Sequence, residues 1–421
     1  MKILFAHQLF PGQFSRMCTF LPKMGDYEIY FMCRRTPERI DGVQQLFYER
    51  PRDVTPGIHP HVELFEDAVL MGQTAAKTAE QLKQSGWTPD LIVGHTGWGE
   101  LMFLKTVYPQ VPVLAYPEYF NNVQGADYLF DPEFPSPPED AQRVIARNAT
   151  NLVSWLAADW GLVPTQWQRS LFPLEMQSRM SVIHEGVLTD EIKPNPEQRM
   201  TLKSGRTYTT QDQVITFAAR NLEPYRGFHV MMRAVPEILR RHPQAVVAFV
   251  GGDEVSYGLK HSSGRSWRQV MREEVLRTEL MKGNHNALDP QRVWFTGHLP
   301  YDQHLALLQL SSAHVYLTYP FLLSWSMMEA MSAGCALIGS RTGPVEEVIR
   351  HGENGLLVDF FDTQGIADAV TAILTHPDRM AGMRQAARQT AIDGYDVKTR
   401  CLPQVVKLFD DLVAGRRPDA G

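Results

Sequence analysis

At 421 residues the chain is too long for one ordinary hydrophobic core, and two domains are expected. Its 44% hydrophobic and 21% charged content is that of a soluble globular protein, and a net charge of −6 without a basic block argues against nucleic acid as a partner. The four cysteines, Cys18, Cys33, Cys335 and Cys401, are scattered and form no C-x-x-C pair. This disfavours a zinc site or a disulfide framework and suggests core thiols in a reducing compartment.

In chain order, Lys2–Ala6 reads as a compact apolar strand, followed by a loop over 8–14 and a helix near Ser15–Met24. Further strands are expected at Tyr27–Met32, Leu91–Gly94, Val111–Ala115, Leu152–Leu156 and Met180–Ile183, with helices near 71–86, 98–107 and 137–149. Short continuous apolar strands alternating with helices imply a parallel, doubly wound sheet. Around residues 189–212 the pattern breaks into polar, proline-containing sequence, which reads as a linker.

The alternation then restarts, with strands at Val214–Ala218, Val246–Val250, Val293–Thr296, Val315–Leu317 and Ala336–Ile338. Helices are expected near 228–241, 266–281, 303–311, 325–333, 344–350 and 365–375, and a last one from about Lys398 to Val413. The expected fold class is α/β, with two Rossmann-like, doubly wound domains over 1–188 and 213–397 and a ligand cleft between them.

Within the second domain, Tyr319–Gly334 reads as a loop and a short helix. Ser324 suits the N-cap, Met327, Met328 and Met331 form an apolar face, and Gly334 ends the helix. A helix start that follows a buried strand offers free N–H groups to a phosphate. Glu329 is the only acid on this helix and can accept from paired sugar hydroxyls. Arg220 and Arg226 follow the first strand of this domain, at the edge where ligands bind. Two guanidiniums there can hold a diphosphate. Gly251 and Gly252 follow the next strand and permit close backbone approach. His95 and Glu118 follow successive strands of the first domain, so both are candidates to face the cleft, and His184 and Glu185 close its last strand.

Other chemistries lack their motifs. The first strand–helix turn holds one glycine, Gly12, where a dinucleotide fold uses G-x-G-x-x-G, and the Walker G-x-x-x-x-G-K is absent. Neither H-E-x-x-H nor D-x-D occurs, so no metal site and no cofactor are expected. The apolar run in Met1–His7 is short for a signal peptide, and no stretch reaches the roughly 18 apolar residues of a membrane span. A cytoplasmic location follows, at the inner membrane face if the protein makes peripheral membrane contact.

Arg220 to Arg226 with Gly227, Glu329-Ala-Met-Ser-Ala-Gly334, Gly343-Pro-Val-Glu-Glu-Val348 and Glu353-Asn-Gly-Leu-Leu-Val358 together resemble glycosyltransferase family 4. The resemblance extends over nearly the whole chain. It implies retaining enzymes of GT-B architecture, with a final helix at about 398–414 crossing back to the first domain.

Carried over residue by residue, it implies that Arg220 and Arg226 bind the donor diphosphate and that Glu329 holds the ribose. The amides of Leu323, Ser324, Trp325 and Ser326 would meet the phosphates. His298 and Leu299 would lie where the base is held, and Gly12 beneath the donor; Gly251 is a candidate donor contact from its place after the strand. The chain departs from the family pattern at Phe321, where a second glutamate is usual, and in the six-residue spacing of its two arginines. The family's histidine is not evident near Tyr116-Pro-Glu118, while His95 lies one strand earlier.

The activity implied is metal-independent transfer of a sugar, from a UDP-sugar for preference, to a hydroxyl of a saccharide or lipid-linked acceptor. Arg220, Arg226, His95 and Glu118 are its candidate catalytic residues. The alternatives are a nucleotide-sugar-binding scaffold that has lost transfer, with Phe321 as its motive, and a sugar-nucleotide epimerase of the same fold.

Overall fold

The structure, a computed structural model, describes residues 1–137, 139–201 and 205–420. It divides into two compact units: Met1–Gly186 with Val397–Gly421, and Val187–Asp396.

The first unit is built on β1 (Lys2–Ala6), β2 (Glu28–Cys33), β3 (Val43–Phe47), β4 (Leu91–His95), β5 (Val113–Tyr116), β6 (Trp160–Val163) and β7 (Met180–Val182). These form one seven-stranded sheet in the order β3-β2-β1-β4-β5-β6-β7. Neighbours run parallel; Ile3, for example, pairs with Ile29 on one side and Leu91 on the other. Side chains alternate across the sheet, so Ile3 and Phe5 pack on one face with Met17, Leu408 and Phe409, while Leu4 and Ala6 pack on the other with Met71, Ala75 and Leu104. Both faces are covered, which is why β1 reads as an unbroken apolar run. The Glu63–Gln84 helix buries Ala68, Met71, Ala75, Ala79 and Leu82, a single stripe at helical spacing. The Leu402–Val413 helix belongs to this unit and buries Val405, Leu408, Phe409 and Leu412.

Several sequence expectations change here. Leu152–Leu156 is not a strand: Ala149–Trp155 is helical, and the strand is Trp160–Val163. A five-residue apolar run cannot distinguish the two by periodicity; here Leu152 and Leu156 face solvent while Asn151, Ser154 and Trp155 are buried. The helix expected over 98–107 shrinks to Leu104–Val107. Gly99 interrupts it, with φ +104 and so close an approach to the Ala68 carbonyl that no Cβ fits. Strand β3 escaped notice because its half-polar Val-Gln-Gln-Leu-Phe sequence lies at a sheet edge.

The second unit contains an antiparallel pair, β8 (Arg199–Thr201) and β9 (Thr207–Thr209), within the stretch read as a linker. Tyr208 is buried there against Trp294. Residues 202–204 of that stretch, and Pro138 of the helix expected over 137–149, lie outside the described residues. The main sheet comprises β10 (Val214–Asn221), β11 (Val246–Gly252), β12 (Val293–Gly297), β13 (Ala313–Tyr316), β14 (Leu337–Ser340) and β15 (Leu356–Val358). Its order is β12-β11-β10-β13-β14-β15, again parallel. The Trp325–Ser332 helix buries Met327, Met328 and Met331. Its far end is gripped by the Ala381–Tyr395 helix, from which Arg388 donates to the Ser332 carbonyl at 2.6 Å and Arg384 to the Gly334 carbonyl at 3.2 Å. All four cysteines are buried thiols. Among the described residues no helix is long and apolar enough to cross a membrane.

Candidate functional site

In each main sheet the strand order reverses direction at one point, between β1 and β4 in the first unit and between β10 and β13 in the second. Open α/β sheets bind ligands outside the carboxyl ends of their strands at such a switch point, because the outgoing loops diverge there and leave a crevice. The sequence candidates fall on these two edges.

In the second unit, β10 ends at Arg220 and Asn221. Arg220 is exposed, with no side-chain hydrogen bond or ion pair among the described residues. The chain then makes a tight 3-10 turn over Pro224–Arg226, and Gly227 starts the next helix. Gly227 has φ +69, and a Cβ there would lie 2.4 Å from Leu317 Cβ, so glycine is required twice over. This turn sends Arg226 inward, where it is 6% exposed. Its Nη1 donates to Thr318 Oγ1 at 2.8 Å, to the Leu322 carbonyl at 2.8 Å and to the Tyr316 hydroxyl at 3.3 Å. Its guanidinium carbon lies 5.2 Å from the Tyr257 ring centre. Burial alone would lower its pKa, but the surrounding Tyr316 and Tyr257 outweigh this and raise it. The two arginines therefore stand in different surroundings: Arg220 open at the edge, Arg226 buried and pinning the loop that leads to the Trp325–Ser332 helix.

At that helix start, Ser324 Oγ accepts from the Ser326 amide at 3.3 Å, as an N-cap does. The Ser324 amide donates to the Tyr316 hydroxyl at 2.7 Å, and Leu323 is buried. A phosphate arriving here would compete with these contacts. Glu329 is buried one and a half turns on; Tyr301 donates to its Oε1 at 2.8 Å, and His304 Nε2 lies 3.5 Å from its Oε2. Toward β12, Gly251 and Gly252 end β11 while His298 is exposed and Leu299 half-buried. A Cβ on Gly252 would sit 2.4 Å from His298 Nε2 and 2.5 Å from Asn221 Oδ1, so these two polar atoms crowd one bare stretch of backbone. Asn221 is 8% exposed, and its Oδ1 has no hydrogen-bond partner among the described residues.

In the first unit, Gly12 has φ +53, and its Cβ position lies 2.9 Å from the His7 ring, so the turn after β1 closes directly over that imidazole. His7 is buried, and burial, with His95 nearby, lowers its pKa to about 3, so the ring is neutral. The His95 ring lies 5.2 Å from that of His7. The Gly97 amide donates to His95 Nδ1 at 2.9 Å, which leaves the ring proton on Nε2, 3.4 Å from Glu118 Oε2. Gln13 donates to Glu118 Oε1 at 2.8 Å. Burial alone would raise the Glu118 pKa, but His95 and Gln13 outweigh it and hold the carboxyl below its usual value. His184 and Glu185 lie beside Tyr116, whose hydroxyl donates to Glu185 Oε1.

Sequence reasoning did not single out several residues of these edges. His7 stands directly after the apolar run of β1, as His95 closes β4, and that parallel was the available signal. Glu223 is the one acid between Arg220 and Arg226 and is fully buried. It accepts from the amides of Ser256 at 2.9 Å, Tyr257 at 3.3 Å and Gly258 at 2.9 Å. Tyr301, His304 and Asn221 carried no sequence signal.

Two parallel-sheet α/β domains of this topology define the GT-B class of glycosyltransferase folds. Sucrose-phosphate synthase from Thermosynechococcus elongatus superimposes with a TM-score of 0.70 at 17% identity, covering 99% of this chain and 100% of the other. Anabaena HepE, solved with UDP and glucose, gives 0.65 at 17% identity over 98% and 100%. The "Glycosyl transferase family 4 group" matches residues 25–192, and "Glycosyl transferases group 1" matches residues 203–390. The chain belongs to glycosyltransferase family 4. Among its relatives, a GDP-mannose-dependent alpha-(1-6)-phosphatidylinositol monomannoside mannosyltransferase of Mycolicibacterium smegmatis is 27% identical over 55% of this chain and 55% of its own, so the chain spans about half that relative's length. A D-inositol 3-phosphate glycosyltransferase of Acidothermus cellulolyticus is 24% identical over 88% of this chain and 75% of its own.

Proposed function

We propose that this chain transfers a sugar from a nucleoside diphosphate sugar to a hydroxyl of a saccharide or lipid-linked acceptor, with retention and without a metal ion. The observation that carries this reading is the placement of Arg220, the Ser324 helix start and Glu329 at one switch-point edge, which matches a diphosphate and a ribose in order. In the step itself, the bond from the anomeric carbon to the diphosphate oxygen breaks as the acceptor oxygen bonds to that carbon from the same face. The acceptor proton goes to the departing diphosphate. Arg220 and the helix start answer the negative charge that grows on the leaving group. Arg226 acts by holding the 318–322 loop in place, and Glu329 accepts from the ribose hydroxyls.

The sequence reading favours uridine as the base, while the GDP-mannose dependence of the mycobacterial relative favours guanosine with mannose. The names of the relatives also favour an inositol-containing or lipid-linked acceptor. Calorimetric titration with UDP, GDP and ADP, each with and without EDTA, tests the reading, with Arg220→Ala as control. One nucleotide should bind without metal and lose roughly tenfold or more in affinity in the variant. The sugar nucleotides of that base should then be hydrolysed slowly. Binding without hydrolysis or transfer would favour a scaffold, and no binding would refute the site.

A further inference from the structure

The loops after β10, β11 and β13 bring a group of aromatic rings to the same edge. Tyr225 lies 4.5 Å from Tyr319 and 5.5 Å from Phe321 between ring centres, and Tyr257 lies 4.9 Å from Phe321. Tyr257 is 38% exposed and Phe321 half-buried, so the group forms a wall with an open side.

Buried charged groups hold this wall from behind. Arg226 binds Thr318 Oγ1 and the Leu322 carbonyl, one on either side of Phe321. Glu223 gathers three successive amides, which fixes the loop carrying Tyr257. Burying a carboxylate and a guanidinium is costly, and here each is met by several hydrogen-bond partners on the loops that carry the rings. What they keep here is a partly exposed aromatic surface at the ligand edge. It begins three residues before the Ser324 N-cap, within about 10 Å of chain from the phosphate end.

We propose that Phe321, backed by Tyr225 and Tyr257, is the sugar-selecting wall of the donor site. It takes the sugar ring of the nucleoside diphosphate sugar against its face and favours one that is deoxygenated where it meets Phe321. This rests on the nucleotide-sugar reading above. The reason is physical: a hydroxyl pressed against the Phe321 ring gives up hydrogen bonds to water and gains none, whereas a C–H or methyl group there loses nothing. Single-group differences against an apolar wall are worth roughly 10–200-fold in specificity.

The test uses the full chain and matched donors of the base found by titration: each parent hexose against its 3-, 4- and 6-deoxy forms, with kcat/KM for donor hydrolysis as readout. The wild type should use at least one deoxy donor roughly tenfold better than its parent. Phe321→Glu should reverse that preference while leaving the affinity for the bare nucleoside diphosphate within roughly twofold. Phe321→Leu, which keeps an apolar side chain, should retain the preference with a higher donor KM, and it decides the matter if the glutamate variant does not fold. A wild type that uses every parent at least as well as its deoxy forms overturns the proposal, as does an unchanged ratio in Phe321→Glu. Failure of the wild type to bind any nucleotide refutes the nucleotide-sugar reading itself, and the wall with it.

Discussion

At the switch point of the first sheet the side chains face one another: a neutral His7, His95 against Glu118, and Gln13 holding the other carboxylate oxygen. At the switch point of the second they carry fixed charge or fixed donors: Arg220, Arg226, hydroxyls and a capped helix start. The strand order around the two points is the same, so topology supplies the crevice and the loop residues decide its chemistry. The second edge presents cations and donors, while the first presents a carboxylate held between an imidazole and an amide.

The sharpest way to break this contrast is Arg226→Ala. Thr318, the Leu322 carbonyl and the Tyr316 hydroxyl would lose a donor together. The expected cost is about 3 kcal/mol of stability in denaturant melts, with donor turnover down roughly 10²–10³-fold. Unchanged turnover in the folded variant would remove Arg226 from the site. Arg220→Ala separates binding from architecture: turnover should fall by roughly 10² while the melt stays within about 0.5 kcal/mol of wild type. Glu329→Gln should weaken nucleotide binding by roughly tenfold in the same calorimetric titration. Should Tyr301→Phe weaken it equally, the carboxylate acts on the protein and not on the ribose.

At the first edge the variable is pH, and the effect within any one pH unit is small. His7 has a folded pKa of about 3 against 6.5 in the unfolded chain, so below pH 6.5 the unfolded state takes up a proton that the folded state refuses. Stability should therefore fall with acidification by at most about 1.4 kcal/mol per pH unit from this group, down to about pH 3. His314, on β13 of the second sheet and buried against Thr216, has a pKa lowered to about 3 by burial, and its contribution to stability falls with acidification in the same sense. His7→Gln isolates the first edge: the gap between variant and wild type should narrow as the pH falls. A constant gap from pH 7 to 4 would mean that the buried imidazole is not the cause.

The alternation of apolar strands and helices was legible because β1, β10 and β11 are covered on both faces and leave unbroken apolar runs. Ser324 and Gly334 could be read as caps because each makes a local demand on the backbone, and the structure bears both out. Strand β3 and the β8–β9 pair were not legible, since their sequences are half polar and take their shape from neighbours. Arg220 and Arg226 look alike in sequence. Only the turn at Pro224 and the left-handed Gly227 send one outward and the other inward. The clamp by Glu223 joins residues more than thirty positions apart, a distance at which local pattern carries no information.

The grip of Arg384 and Arg388 on the end of the Trp325–Ser332 helix has a consequence at its other end. A helix behaves as a small dipole, with about half a unit charge at each terminus. Two cations seated at the Ser332 and Gly334 carbonyls neutralise the negative pole. The positive pole at Ser324, about 12 Å away, is left like one terminal of a cell whose other terminal has been earthed. The anion-attracting field at the ligand edge is thus set in part from the opposite end of the helix, by residues that no ligand at Ser324 would touch.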